Sequence, residues 1–180
     1  ISGIISAKLS AEKGLDTILI DDKNILGGST IYQENEAYKI NDIYSNEWLA
    51  KEIKSLKKYP NLIIKNRTSL AAFHGYNYLL ARENLTDHLS ISDRKNKIRQ
   101  RLWKIRAKKV IIASGSIERP LIFSNNDRPG IILSSSIKKY IDYYGVKTGE
   151  NISLFTNNDS AYETAISLNK SGVKVNVIVD

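Results

Sequence analysis

Hydrophobic positions along the first 65 residues change spacing in an order that predicts alternating helices and strands. Apolar residues at helical spacing predict a helix over 3–13, which Gly14 ends. A short apolar strand is expected over 17–20, a second helix over 46–59 and a second strand over 62–65. Short strands that alternate with amphipathic helices are typical of a parallel α/β sheet.

The middle of the chain has a different pattern. Residues 69–82 and 101–110 combine β-forming side chains with turn residues, which predicts an antiparallel excursion from the parallel sheet. Over 104–108, basic residues alternate with apolar or small ones, as on a strand with one solvated face. The apolar run at 110–112 is expected to return the chain to the parallel sheet.

The last third of the chain predicts a second α/β unit. Its expected elements are a helix over 134–144, a strand over 151–155, a helix over 159–171 and a strand over 173–179. We therefore expect a first dinucleotide-binding domain over 1–122 and the start of a second nucleotide-binding-like domain over 123–180.

Composition narrows the class of protein. The 180 residues contain no cysteine, which excludes disulfides, a cysteine zinc site and a redox dithiol, and fits a reducing cytoplasm. No apolar run reaches the ~18 residues that a membrane span needs, so we expect no membrane partner. The chain begins at Ile1 and contains no methionine, and we expect it to be part of a longer protein.

The net charge of +8 raises the possibility of nucleic-acid binding. The densest basic run lies at 94–109 and overlaps the predicted strand with one solvated face. Because basic residues on the wet face of a hairpin need no ligand, we predict no nucleic-acid partner.

Acidic residues at the end of the first predicted strand suggest a nucleotide site. Asp21 and Asp22 occupy the position where a dinucleotide fold places the acid that binds the adenosine ribose. An acid there repels a 2′-phosphate, which favours NAD or FAD over NADP. Gly3 precedes Asp21 by 21 − 3 = 18 residues and fits the third glycine of the phosphate turn, whose first two glycines we expect before Ile1. The structural alternative is an ordinary β-α-β unit with an Asp at a strand end.

Two small-residue segments strengthen the nucleotide hypothesis. Gly27-Gly28-Ser29 follows the acids, and Ala113-Ser114-Gly115 ends the later apolar run. Flavoproteins with two dinucleotide-binding domains have such a pair, because small residues allow the backbone to approach closely. In the second unit, Thr156-Asn157-Asn158 stands where glycines are usual, so we predict poor dinucleotide binding there.

Longer stretches resemble one family. RQRLWKIRAKKVIIASGSIERPLIFSNNDRPGIILSSSIKKYIDYYGV (99–146), TNNDSAYETA (156–165) and the Gly27–Ser29 turn are similar to α subunits of heterotetrameric sarcosine oxidases. The resemblance covers essentially the whole chain. It implies a Rossmann-like parallel sheet of the two-dinucleotide-binding-domain, disulfide-reductase-like flavoprotein type, with an antiparallel excursion and truncated at both ends.

The resemblance also implies a function and a set of partners. Such complexes oxidatively demethylate sarcosine to glycine, form hydrogen peroxide and transfer the one-carbon unit to tetrahydrofolate. The α subunit holds NAD and associates with β, γ and δ subunits, and FAD and FMN bind largely through the partner. Sarcosine and tetrahydrofolate are expected to bind outside these 180 residues, which hold no catalytic or metal-ligating residue.

Individual positions follow from the resemblance as expectations. Ser2 and Gly3 would end the glycine turn, Lys23 would join the acids at the ribose, Ser29 would reach the phosphates, and Leu70 would meet the adenine edge through its backbone. The full set of expected cofactor contacts is Ser2, Gly3, Asp21, Asp22, Lys23, Gly27, Gly28, Ser29, Leu70, Ala113, Ser114 and Gly115.

Two alternatives stay open at this stage. One is the α subunit of a related FAD- or NAD-dependent amine, proline or opine dehydrogenase, which would share this architecture. The other is a free-standing flavoprotein reductase of the pyridine-nucleotide type, without the dithiol that the absence of cysteine excludes.

Overall fold

The computed structural model describes residues 1–32 and 38–180, which form two compact units. The first unit contains Ile1–Thr30 and Lys39–Ser114. The second contains Gly115–Asp180 together with Ile31, Tyr32 and Tyr38. The predicted division into two nucleotide-binding domains at residue 122 stays a prediction.

The first unit combines a parallel strand pair, a hairpin, an antiparallel sheet and helices. Its elements are α1 (Ser2–Glu12), β1 (Thr17–Ile20), β2 (Lys39–Ile40), β3 (Ile43–Tyr44), α2 (Ser45–Leu56), β4 (Leu62–Lys65), β5 (Thr68–His74), β6 (Tyr78–Asn84), α3 (Ile91–Arg94) and β7 (Gln100–Arg106). A 3₁₀ helix over Gly28–Tyr32 begins in this unit. The predicted bounds of β1 and β4 are confirmed, and those of α1 and α2 agree to within three residues.

The parallel pair forms because two apolar strands meet in one register. Thr17 lies opposite Leu62, and Ile20 lies opposite Lys65. Helix α1 buries Ile4, Ala7 and Ala11, a stripe at i, i+3 and i+7. This stripe covers one face of the pair and leaves the opposite face to the antiparallel sheet.

Strands β5, β6 and β7 form that antiparallel sheet, in this order. The excursion predicted from the sequence is therefore confirmed. Ala81 on the central strand is fully buried, whereas Lys104 and Arg106 on β7 are exposed, as the alternating pattern predicts.

The predicted strand at 110–112 is wrong. These residues form no strand, and the side chains of Ile111 and Ile112 are 64% and 71% exposed. A strand needs a neighbour that accepts its backbone hydrogen bonds, and no described residue pairs with this segment. The apolar run alone could not supply that partner.

The hairpin of β2 and β3 was not predicted. Asn41 and Asp42 form its two-residue turn, and their φ angles of 50° and 63° lie in the left-handed region. Asn and Asp tolerate this region better than other side chains, and turns with two such residues match the twist of paired strands.

The second unit contains α4 (Ser134–Asp142), β8 (Asn151–Phe155), α5 (Ser160–Lys170) and β9 (Lys174–Val179). Strands β8 and β9 are parallel, and α5 connects them. Ile137 on α4 packs with Leu168 and Val173 in the core. The predicted order of helices and strands is confirmed, with ends that agree to within two residues.

Helix α4 begins at a carboxylate from a distant part of the chain. Glu118 accepts hydrogen bonds from the backbone N–H groups of Ser134 and Ser135, at 3.1 and 2.7 Å. The first N–H groups of a helix have no partner inside the helix, and a negative charge also suits the helix dipole. Glu118 therefore fixes where α4 starts.

Candidate dinucleotide site

The first turn of α1 lies at the carboxyl end of β1. A Cβ built on Gly3 would lie 3.7 Å from Cδ1 of Leu19, near the end of that strand. It would also lie 3.4 Å from Cβ of Ala113, so the side chains of Leu19 and Ala113 lie close to the first turn of α1. The N–H groups and the dipole at the start of a helix can receive an anion.

The backbone of Asp21 is held from both sides. Its N–H donates to the carbonyl of Lys65 at 3.0 Å, and its carbonyl accepts from the N–H of Thr68 at 2.9 Å. These bonds connect the end of β1 to the end of β4 and the start of β5. The acid predicted to bind a ribose thus has a fixed backbone position.

The side chains of the acidic pair have different surroundings. Asp21 accepts a hydrogen bond from the backbone N–H of Lys23 at 2.9 Å, which closes a tight turn. Asp22 is exposed, and its carboxylate lies 2.6 Å from Nζ of Lys23. The turn thus fixes the Asp21 side chain, and Lys23 lies beside both acids.

Leu70 lies on an edge of the antiparallel sheet. Strand β5 pairs with β6 on one side, and on the other side the N–H of Thr68 meets Asp21. Backbone groups alternate in direction along a strand, so those of Leu70 point to the same edge as those of Thr68. This edge could present the backbone of Leu70 to an adenine ring.

The Gly27-Gly28-Ser29 segment makes a tight turn. Gly27 and Gly28 have φ angles of 139° and 60°, which a side chain would strain. The N–H of Thr30 donates to the carbonyl of Gly27 at 3.3 Å, and the preceding Leu26 is buried. Ser29 is exposed on this turn.

The predicted Ala113–Gly115 segment is divided between the units. Ala113 lies against Gly3, and Ser114 is the last residue of the first unit. Gly115 begins the second unit with a φ angle of 73°. The structure thus brings Ala113 to the start of α1, whereas Gly115 is described within the second unit alone.

The turn before α5 is filled by its own side chains. The hydroxyl of Thr156 donates to the carbonyl of Asn158 at 2.8 Å. The amide oxygen of Asn158 accepts from the backbone N–H and the hydroxyl of Ser160, at 3.0 and 2.5 Å. These bonds occupy groups that a phosphate would need at this helix start.

Two features of the described chain bear on other ligands. Among residues 1–32 and 38–180, no three His, Cys, Asp or Glu side chains are placed to hold a metal ion. No helix in the same residues is long and apolar enough to cross a membrane.

Sequence reasoning missed a polar pocket next to the acidic pair. Arg67 and Arg82 line it together with Asp22, Lys23 and other polar residues. The charges of Arg67 and Arg82 are visible in the sequence. The register of β5 and β6, which brings Arg82 beside the turn between β4 and β5, could not be predicted from it.

Comparison with known proteins supports both the fold and the resemblance. No protein-family model matches the chain. A crystal structure of L-proline dehydrogenase from P. horikoshii matches 99% of this chain and 33% of that chain, with a TM-score of 0.72 and 23% identity. The chain therefore has an α/β fold with parallel strands of the kind found in that structure.

The particular resemblance predicted from sequence is confirmed. The chain is 33% identical over 177 residues to sarcosine oxidase subunit alpha of Corynebacterium sp. (strain U-96). It is 31% identical over 179 residues to sarcosine oxidase subunit alpha of Rhizobium meliloti (strain 1021). These matches cover 98% and 99% of this chain but only 18% of each relative.

Proposed function

We propose that this chain binds the adenosine half of NAD within a sarcosine-oxidase-like α subunit. The observation on which the proposal rests is the start of α1 near the end of β1, whose next residue, Asp21, has a fixed backbone. A helix N-terminus receives a pyrophosphate, and an acid at the adjacent strand end accepts hydrogen bonds from ribose hydroxyls. The similarity to sarcosine oxidase α subunits supports the assignment of the ligand class.

The residues present fit such a ligand. The N–H groups of Ser2 and Gly3 belong to the first turn of α1, where a pyrophosphate would bind. Asp21 would hold the ribose, with Lys23 beside it. Leu70 on the sheet edge would meet the adenine, and the Gly27–Ser29 turn would approach the phosphates.

The turn before α5 is proposed not to bind a dinucleotide. Thr156 and Asn158 add side chains where a tight glycine turn would approach a pyrophosphate. Their hydrogen bonds to the backbone would have to break before a phosphate could bind there. NAD bound in this protein would therefore lie at the start of α1 and not at the turn before α5.

At the level of the complex, we propose an oxidoreductase that acts on CH–NH donors. Sarcosine would be oxidatively demethylated to glycine, with formation of hydrogen peroxide and transfer of the one-carbon unit to tetrahydrofolate. The β, γ and δ subunits would be partners, with FAD and FMN held largely through the partner. The role proposed for this chain is binding, because no catalytic constellation is expected in it.

The direct test is to purify the full-length subunit with its partners, denature it and identify the released nucleotides. About one NAD for each α subunit, retained through extensive dialysis, would support the proposal. FAD recovered from the α subunit instead would favour a related amine dehydrogenase or a reductase. A subunit without nucleotide would contradict the proposed binding role.

A further inference from the structure

The polar pocket beside the acidic pair has the features of an anion site. It is a surface cavity of about 270 Å³ in the first unit. Six of its lining residues are Asp22, Lys23, Arg67, Arg82, Asn84 and His88. Three of these are cations and one is an anion, so the pocket is positive before any contribution from His88.

Strand register places several of these side chains on one face of the sheet. Ser69 lies opposite Arg82, whereas their neighbours Thr68 and Glu83 form a pair whose side chains are buried on the other face. Asn84 lies two residues beyond Arg82, and its N–H donates to the carbonyl of Arg67 at 2.9 Å. The donors therefore come from different parts of the chain but point to one cavity.

The backbone holds Arg67 in an uncommon conformation. Its φ angle is 50°, in the left-handed region that residues other than glycine rarely adopt. The N–H of Arg67 donates to the carbonyl of Lys23 at 2.8 Å, and its carbonyl accepts from Asn84. These two bonds join the loop after β1 to the antiparallel sheet and fix the start of the Arg67 side chain at the pocket.

No acid among the described residues is paired with either arginine. Within residues 1–32 and 38–180, the guanidinium groups of Arg67 and Arg82 form no ion pair. The carboxylate of Asp22 is engaged with Lys23 at 2.6 Å. Two arginines without a carboxylate partner line one pocket, and a guanidinium group can bind a phosphate through paired N–H donors.

We infer that this pocket binds a phosphate dianion through Arg67 and Arg82, with His88 and Asn84 as further hydrogen-bonding groups. Two sources could supply that group. One is the 2′-phosphate of an NADP-type dinucleotide whose ribose lies at Asp21, and this source rests on the proposed function. The other is a free phosphate, which binds independently of the dinucleotide.

If the phosphate is the 2′-phosphate of an NADP-type dinucleotide, the preference for NAD that the sequence predicts would change. An acid at the end of β1 repels a 2′-phosphate, which favours NAD. The two arginines line one pocket with Asp22 and Lys23, so their charge would offset the repulsion. The NAD or NADP preference of this site would then depend on Arg82 as well as on Asp21.

The experiment measures ligand binding by isothermal titration to the full-length complex from which retained nucleotide has been removed. The probes are inorganic phosphate, NAD and NADP, each with the wild type, Arg82→Gln and Arg67→Asn. Asparagine at position 67 tolerates the left-handed backbone. Arg106→Gln is the matched control, because Arg106 is an exposed arginine of the same sheet that does not line the pocket.

We expect saturable phosphate binding that Arg82→Gln and Arg67→Asn each weaken roughly ten- to hundredfold, the usual effect of losing a charged hydrogen bond. The control should change it less than about twofold. If the 2′-phosphate is the source, wild type will bind NADP more tightly than NAD, and Arg82→Gln will remove the difference. If free phosphate is the source, it will bind equally well with NAD saturating, and NAD and NADP will not differ.

The inference is overturned if wild type binds no phosphate and does not prefer NADP. It is also overturned if Arg106→Gln weakens binding as much as Arg82→Gln, since net charge would then explain the effect. Failure of the proposed function is separate: NAD binding that ignores Asp21→Ala would contradict the dinucleotide site while leaving phosphate binding at the arginines unaffected.

Discussion

Replacement of Glu83 by alanine is expected to loosen the contact between the two sheets of the first unit. Glu83 lies on β6 and is 9% exposed. Its carboxylate accepts from Nε1 of Trp103 at 2.7 Å and lies 3.3 Å from Nζ of Lys65 on β4. Nζ of Lys65 also lies 4.4 Å from the centre of the Trp103 ring. One carboxylate thus connects the parallel pair to the antiparallel sheet.

The magnitude follows from what the alanine leaves behind. Removing one partner of a buried ion pair costs ~3–5 kcal/mol, because the other charge stays buried. The side chain of Lys65 is 23% exposed, so water recovers part of that cost. We expect a loss of about 2–3 kcal/mol for Glu83→Ala, and about 1 kcal/mol for Glu83→Gln, which still accepts from the indole.

Hydrogen exchange in the full-length subunit is the assay, because it reports local stability in a protein with several units. Backbone amides of β6 and β7 should exchange roughly 30- to 150-fold faster in Glu83→Ala. Glu150→Ala, at an exposed glutamate of the second unit, should leave them unchanged. Equal effects of Glu83→Ala and Glu83→Gln would contradict this prediction, because the hydrogen bond from Trp103 to Glu83 would then contribute nothing to stability.

Three further predictions concern other contacts. The hydrogen bond from Lys8 to Glu52 raises the pKa of Lys8 above its usual value of 10.5. The stabilisation that this bond gives to the fold is complete below that pH and is lost as pH rises through the pKa of Lys8 in the folded protein. The melting-temperature difference between wild type and Lys8→Met should therefore shrink in strong alkali, and a constant difference would contradict this. Gly3→Val should reduce NAD retention by crowding Ala113, 3.4 Å from the added Cβ, while Gly3→Ala should be tolerated; equal retention in both would count against close packing there. Glu118→Ala should speed exchange at the start of α4 by about fivefold, or ~1 kcal/mol, and unchanged exchange would exclude Glu118 as its cap.

The parts of the fold that sequence predicted well depend on local patterns. The bounds of β1, β4 and β8 follow from short apolar runs between turn residues. The helix stop at Gly14 follows from a residue that adopts the left-handed region without strain. Each signal lies within a few residues of the feature that it predicts.

The parts that sequence could not predict depend on distant partners. Residues 110–112 are apolar enough for a strand, but no described strand pairs with them. The hairpin turn at Asn41 and Asp42 is an exception, since its residue types were a local signal that was overlooked. The approach of Arg82 to Arg67 requires the register of β5 and β6, which no single segment encodes.

The candidate site also combines features that could be predicted from the sequence with features that could not. Asp21 and Gly3 were predicted from their spacing, and the structure places Gly3 beside Leu19 at the same end of β1. The backbone bonds that hold Asp21 come from Lys65 and Thr68, more than 40 residues away in sequence. Sequence could therefore name the acid but not what fixes it.

If Asp21 holds a bound NAD, as proposed, the NAD content of purified full-length complexes will depend on this residue. Wild type and Asp16→Ala, an exposed aspartate just before β1, should each retain about one NAD for each α subunit after dialysis. Asp21→Ala should lose it, because charged hydrogen bonds to ribose are worth roughly ten- to hundredfold in affinity. Full NAD retention in Asp21→Ala, or equal loss in Asp16→Ala, would contradict a specific role of Asp21 in holding NAD.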